Sequence, residues 1–311
     1  MKKRVSIGLD VGGTKIAGGL MDEAGVMLER LTVPTVASQG GAAILDRLLS
    51  VVAQLLDQAG AAGLQVIGVG VASPGVVDLA TGTVLFASNN LPGWSGTPIG
   101  GAIRERFGLP AWADNDGNVA LVGELQFGAG RGEKNALMIT LGTGIGGSVA
   151  VNGRILRGAH GVAGKFGHIP VSRKGPVCSC GRQGCIEAYA AGPSLVRTAA
   201  ARSGFAGTAE ELLALAADGD PDAIRIFRQA GERLGIAIAA ATNLLDPGLC
   251  LVAGGLTAAG DLLLAPARRM MLAKCHPTIA ERTRLEVAEL GPTAGLLGAA
   301  YLPWNPDVLG V

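Results

Sequence analysis

A chain of 311 residues, 49% hydrophobic, 4% aromatic and carrying fifty glycines, is long enough for about two domains of roughly 150 residues each, with glycine at about twice its usual share of roughly 7%. The formal net charge of +1 gives no global signal for nucleic acid, an anionic membrane or a polyanionic partner. Asp10 interrupts the opening MKKRVSIGLDVGG before a signal-peptide core can form and no 18-residue apolar run follows, so a soluble cytoplasmic protein is expected, in which clustered cysteines favour metal ligation over disulfides.

In chain order, 4–11 (RVSIGLDV) reads as a strand, Gly12-Gly13 as a turn and 15–21 as a second strand, making a hairpin with a glycine tip. Leu45, Leu48, Leu49, Val52, Leu55 and Leu56, spaced by threes and fours, predict an amphipathic helix over 42–58, stopped at Gly60. VIGVGVAS at 66–73 is an apolar strand ending in the turn Pro74-Gly75, and PAWADNDGNVALVGELQFG runs from a short strand into a helix near 117–127. ALMITLGTGIGGSVAV, from 136, repeats the opening plan of apolar strand, glycine turn and alternating strand, and Asn152-Gly153 adds a hairpin signal. Asp220 and Pro221 start a long helix bearing Ile224, Phe227, Leu234 and Ile238; LCLVAGG at 249–255 is a buried strand meeting a glycine turn, and TAGLLGAAYL a last helix of small residues. The alternation is that of an α/β protein. A boundary falls near 118.

The glycine turns admit two readings, tight structural turns or phosphate-binding nests. GLDVGGTK lacks the Gly-Lys-Ser/Thr of a P-loop but offers backbone N–H groups beside Thr14 and Lys15, with Asp10 able to orient a magnesium ion through water. Residues 142–147 match G-x-G-x-x-G formally. An alternating strand follows instead of a helix, however, and no acid occurs between Glu133 and Glu187, which excludes a dinucleotide-binding dehydrogenase. Three glycine turns at strand ends, 12–13, 142–147 and 254–255, favour a nucleotide site.

In WADNDGN, where a strand hands over to a helix, Asp116 is a candidate general base whose ionised form the positive helix end should favour; the competing reading is that one of these residues is the helix N-cap. EF-hand spacing is absent, since Leu125 stands at the twelfth position. His168, Cys178, Cys180 and Cys185 supply one imidazole and three thiolates, a closed ligand set suited to structural zinc, against the alternative of unligated cysteines. A metal-bound His168 keeps one ring nitrogen for a substrate hydroxyl. Cys250 reads as a core residue and Cys275 as inert.

Taken together, GLDVGGTK, SPGVVD, NNLPGW, DNDGN, LGTGIGG and CSCGRQGCIE resemble the motifs of the ROK family of sugar kinases and sugar-responsive repressors, over nearly the whole chain. The resemblance implies an actin-like (ribonuclease H-like) two-domain kinase fold with an interdomain cleft: a smaller domain over 1–118, joined by the terminal helix at about 295–311, and a larger domain over 119–294 with the zinc loop. It implies ATP-dependent phosphorylation of a hexose 6-hydroxyl, with Asp116 as base and Mg²⁺ assisting. Asn115, His168 and Glu187 match sugar contacts, and Asn90 and Gly75 line the same pocket. Gly12, Gly13, Thr14, Lys15, Thr143 and Gly144 match phosphate-side positions, and Gly254 and Gly255 the nucleotide side. Glucose or a close relative is the expected substrate, N-acetylmannosamine or N-acetylglucosamine the alternative. The family's repressors carry a helix-turn-helix segment before the first phosphate motif, which here begins at about residue 7, so a regulator is the lesser expectation. A homo-oligomer, dimer or tetramer, is expected, with sugar and ATP as the small-molecule partners.

One position departs from the pattern. The family usually has Glu-x-Gly-His before the cysteines, and that glutamate accepts hydrogen bonds from sugar hydroxyls; here the sequence is Lys165-Phe-Gly-His168. A lysine donates only. Either Lys165 points away and another group fills the role, or the preferred sugar differs, or activity is weak or lost.

Overall fold

The first strands, β1 (Arg4–Val11), β2 (Lys15–Asp22) and β3 (Met27–Pro34), form an antiparallel meander, followed by α1 (Gly41–Ala61) and β4 (Gln65–Ser73). A small hairpin, β5 (Val76–Asp78) with β6 (Thr83–Phe86), precedes α2 (Ile99–Phe107), β7 (Ala111–Asn115) and α3 (Asp116–Phe127). The structure, a computed structural model, describes residues 2–87 and 91–310. It separates into two units, one made of Met1–Gly132, Ala150–Ala163 and Glu289–Val311, the other of Glu133–Val149 and Gly164–Ala288.

The first unit's sheet has the order β3-β2-β1-β4-β7, with β4 parallel to both β1 and β7. Its core forms where the buried stripe Ile44, Leu48, Val51, Val52 and Leu55 of α1 meets Ile7, Leu9, Val69 and Val71 of the central strands. The stop expected at Gly60 does not occur. Helix α1 continues to Ala61, and Gly63, at φ 67°, is the first left-handed residue beyond it. Helical hydrogen bonding and the buried Ala59 outweigh the modest helix cost of a single glycine.

Beyond α3 the chain forms β8 (Ala136–Leu141), β9 (Ile145–Val151) and β10 (Arg154–Ile155), then α4 (Glu187–Ala190), α5 (Gly192–Ser203), α6 (Ala209–Ala217) and α7 (Pro221–Leu245). It continues through β11 (Leu249–Ala253), α8 (Asp261–Lys274), α9 (Pro277–Ala280) and β12 (Arg284–Val287) to α10 (Ala294–Tyr301). The second sheet has the order β10-β9-β8-β11-β12, with β11 parallel to β8 and β12. The two sheets thus repeat one strand plan, as the recurrence of strand, glycine turn and strand predicts. Asp220 caps α7 as expected, accepting from the Ala223 N–H at 2.7 Å. The buried residues Phe227, Leu234 and Ile238 carry α7 onto the second core. Among the described residues no helix is long and apolar enough to cross a membrane.

Helix α10 returns to the first unit. The fully buried carboxylate of Glu124 receives it, accepting from the Glu289 and Leu290 N–H groups at 3.1 and 2.8 Å and from that of Ala129 at 3.0 Å. The helix is built of small residues because backbone meets backbone: a Cβ on Gly298 would lie 1.9 Å from the Val119 carbonyl oxygen of α3. Gly298→Ala is therefore expected to destabilise the protein by about 1–3 kcal/mol or more through overpacking. A fall in the urea midpoint with an unchanged slope would register it.

Candidate functional site

On the first unit, β1 and β7 each carry a carboxylate one residue before their end, Asp10 and Asp114, and Asp116 opens α3 directly after β7. Asn115 is the N-cap of α3, its Oδ1 accepting from the Gly117 and Asn118 N–H groups at 3.0 and 3.3 Å, while its Nδ2 donates to the Gly75 carbonyl at 2.8 Å. The N-cap reading of DNDGN therefore holds for Asn115. Asp116 is the first helical residue. Its carboxylate accepts from its neighbour's N–H, that of Gly117, at 2.8 Å and is reached by solvent, though it sits recessed among protein atoms.

Electrostatics at these strand ends differ from the helix-end expectation. Lost hydration raises the pKa of Asp116, with the charge of Asp114 adding to the rise, against the lowering effect of hydrogen bonds from Gly117 and Asn115. Burial outweighs the helix terminus. Asp10 moves the same way, from 3.8 to about 6, chiefly by burial, with repulsion from Asp116 adding and Lys15 offsetting part. At the hairpin tip next to it, Gly13, Thr14 and Lys15 are exposed, and the turn is braced by Thr35, whose hydroxyl donates to the Gly12 carbonyl at 2.6 Å.

Asp114, one residue before the cap, has a different role. It is buried, and Arg157 grips it at both oxygens, Nη1 to Oδ1 at 2.8 Å and Nη2 to Oδ2 at 2.7 Å, with side-chain exposures of 15% for the arginine and 2% for the aspartate. Arg157 Nε also donates to the Leu309 carbonyl at 2.6 Å. Sequence reasoning missed this pair: Asp114 was visible as an acid, but its partner lies 43 residues away in a loop with no local signal.

On the second unit, the ends of β8 and β11 meet. Gly254, at φ 96°, lies so close to β8 that a Cβ would come within 2.2 Å of the Leu141 carbonyl oxygen. Only glycine allows that approach. A cavity of about 580 Å³ opens there, lined by Gly142, Thr143, Gly192, Arg197, Glu210 and Gly255 among others. It joins two of the predicted glycine turns. Gly144 packs against Glu187, whose Oε2 accepts from the Ile145 N–H at 3.0 Å.

Next to Glu187 the ligand atoms of His168, Cys178, Cys180 and Cys185 lie within 4.8 Å of one another. The Cys180 and Cys185 sulfurs are 3.8 Å apart and His168 Nδ1 is 3.6 Å from the Cys178 sulfur. A tetrahedral ion with metal–sulfur bonds of about 2.3 Å sets its sulfurs about 3.8 Å apart, so the donor set fits such a cation. Without a cation the thiols share ionisation unevenly: burial first, then Cys180 and Cys178, push Cys185 up to about 12, whereas a backbone hydrogen bond at Arg182 and the same sulfur contacts lower Cys180. The Ser179 hydroxyl donates to Glu187 Oε1 at 2.6 Å. Burial works against the Glu187 charge, but hydrogen bonds from Ser179, Ile145 and Cys178, with the nearby His168, bring its pKa below the ordinary value. His168 is exposed and Nδ1 faces the sulfurs, leaving Nε2 on the other side of the ring. Lys165 is exposed and, among the described residues, has no carboxylate at ion-pair distance. Cys250 and Cys275 are buried, with thiols raised by burial, to about 11 for Cys250. Asn90 lies outside the described residues.

Comparison with known proteins places these features in context. The model of the ROK family matches residues 6–305. A glucokinase of Streptomyces coelicolor is 37% identical over 97% of this chain and 98% of its own. Two solved structures share the fold at 36% identity: the ROK hexokinase of Thermus thermophilus, TM-score 0.83 over 95% of this chain and 96% of that one, and a ROK family glucokinase of Streptomyces griseus in complex with glucose and AMPPNP, TM-score 0.75 over 96% and 98%. The fold is accordingly the actin-like α/β fold of these kinases.

The Asp10 shift carries a stability consequence with a definite sign. A carboxyl whose folded pKa exceeds its unfolded value stabilises the fold when protonated, and that contribution is lost as pH rises from 3.8 through about 6. Asp10→Asn is therefore expected to be more stable than the parent above pH 6, by up to roughly 3 kcal/mol, with the two converging below about pH 4. Denaturant midpoints measured across that range in metal-free buffer check the crossover.

Proposed function

Since the chain belongs to the ROK family, we propose that it transfers the γ-phosphoryl group of ATP to the 6-hydroxyl of a hexose, glucose or a close relative. The observation that carries this reading is Asp116: a solvent-reached carboxylate fixed at the first position of α3 by the Asn115 cap, with its pKa raised toward working pH. A base with a raised pKa takes the hydroxyl proton more readily as the oxygen attacks phosphorus. Most of the remaining catalysis is positioning and neutralisation of phosphate charge.

The roles of the chain's residues follow from their places. Thr14 and Lys15 at the β1–β2 tip, and Thr143 and Gly144 at the β8–β9 turn, hold phosphate oxygens through backbone N–H groups and side-chain donors. The 580 Å³ cavity at Gly255 takes the nucleoside. Asp10 orients the magnesium, which supplies charge neutralisation at the phosphates when bound; relieving its repulsion from Asp116 favours that binding. Asn115, His168 through Nε2 and Glu187 through its carboxylate contact sugar hydroxyls, and Gly75 is a further sugar-side residue. Glu187 is the acceptor that offsets the substitution at Lys165.

The cysteine–histidine cluster holds structural zinc. Its four ligands leave no position for substrate. Its contribution is to fix Ser179, next to the Cys178 ligand, against Glu187 and to orient the His168 ring.

Two experiments test this. Asp116→Asn is expected to lower sugar-dependent ATP consumption by about 10²–10⁴-fold while leaving the fold intact. A coupled assay over hexoses and N-acetylhexosamines measures this and identifies the preferred sugar; near-parental turnover by the variant would remove Asp116 as the base. Elemental analysis is expected to find about one zinc per chain, and Cys180→Ser to lose both metal and thermal stability. A well-folded parent protein free of metal would overturn the zinc assignment.

A further inference from the structure

A second cavity of the second unit, about 650 Å³, lies between α5 and α7, and Arg197, Arg202 and Arg233 line it. Helical spacing explains the convergence. Positions 197, 198, 201 and 202 share one face of α5, while 226, 229, 230 and 233 share one face of α7. Each guanidinium is held by a neutral group. Arg197 donates to the Ser194 hydroxyl at 2.8 Å and Arg202 to the Gln229 amide oxygen at 2.9 Å. Arg233 stacks 5.0 Å from the Tyr189 ring centroid and donates to the Val171 carbonyl at 3.4 Å. None of the three forms an ion pair among the described residues, and the lining's one acid, Glu232, is turned toward Arg269 at 3.4 Å. The cavity thus carries an uncompensated positive charge on oriented donors.

We propose that this cavity binds a phosphate monoester at a site separate from the phosphate-transfer machinery. Planar guanidinium forks match a phosphoryl group's oxygens, and charge-assisted hydrogen bonds of this kind are about twice as strong as neutral ones. The apolar floor of Ile226 and Ala230, with the Tyr189 ring, accommodates the carbon part of the ester. The site is also placed to be felt elsewhere. Arg197 lines both this cavity and the nucleotide-sized one. Ser194, its hydrogen-bond acceptor, donates in turn to the Glu187 carbonyl at 2.8 Å. An anion that draws Arg197 away disturbs the backbone of the residue proposed to hold sugar.

A ligand without a sugar ring, and variants confined to this cavity, keep the test apart from the kinase reading. Isothermal titration of the full chain uses phenyl phosphate, whose ring suits the Tyr189 and Ile226 floor, and, separately, inorganic phosphate, with phenol as the uncharged control. Saturable binding of at least one phosphate is expected, weakened at least about tenfold in Arg202→Gln/Arg233→Gln, since a hydrogen bond to a charged group is worth about 1.5–3 kcal/mol. The tighter of the two phosphates identifies the source, ester or free ion. Circular dichroism and sedimentation velocity accompany each variant, and if the double variant does not fold, exposed Arg202→Gln alone carries the comparison. No phosphate binding by the parent, equal binding by the folded variant, or a change of mass in the variant, which would make the cavity a contact between copies, overturns the proposal.

Discussion

Arg157 and Asp114 form a charge pair taken almost wholly out of water, and the first unit is organised around it. Desolvating both ions is costly, and the arrangement holds because Nη1 hydrogen-bonds Oδ1, Nη2 lies against Oδ2 and the guanidinium's Nε is used as well. One guanidinium fixes three things at once: the end of β7 just before the Asn115 cap, the segment after β10, and the last turn of the chain at Leu309. Deleting either partner strands the other as a buried charge, a loss of about 3–5 kcal/mol in comparable cases. The turn that presents Asp116 is thereby held by an interaction the reacting groups themselves do not make.

Three carboxylates, Asp10, Asp114 and Asp116, sit at the ends of strands in one sheet or at the helix that follows. Only Asp114 has a cation within ion-pair distance among the described residues. The other two remain unneutralised and their pKa values rise. Such a division separates scaffold from chemistry: the paired acid is inert and fixes geometry, while the unpaired ones keep free energy that a bound metal or a proton can release. The second unit solves a similar problem differently. Among the described residues no arginine or lysine side chain eases the ionisation of its crowded thiols, and a bound dication is the natural counter-charge.

Local signals made much of this legible. The glycine tip at 12–13, the long helix from Asp220 and Pro221, and the repeated strand–turn–strand plan all rest on neighbours within a few residues. The repeat proved to extend to the full strand order of both sheets. The cysteine–histidine cluster was readable because its ligands span only 168–185. What could not be read depends on distant chain segments. The pKa direction of Asp116 follows from burial that the assembled unit supplies, not from its helix end. The Arg157 partner of Asp114 and the convergence of Arg197, Arg202 and Arg233 exist only once helices and loops have packed. β3, with Leu28, Glu29 and Arg30 exposed in succession, has too weak an apolar pattern to be anticipated.

The first unit is assembled from three separate stretches of chain, so the boundary is crossed at 132/133, 149/150, 163/164 and 288/289. Neither unit can be cut out as one continuous fragment. A fragment spanning 133–288 would carry residues 150–163 as a loose insertion, with the Arg157 guanidinium deprived of Leu309 and Asp114. For anyone seeking to graft, permute or express half of this molecule, the practical unit of inheritance is the whole chain. The same interleaving gives the two halves a shared fate in folding, since the first unit has all its parts only when residue 289 and those after it have been synthesised.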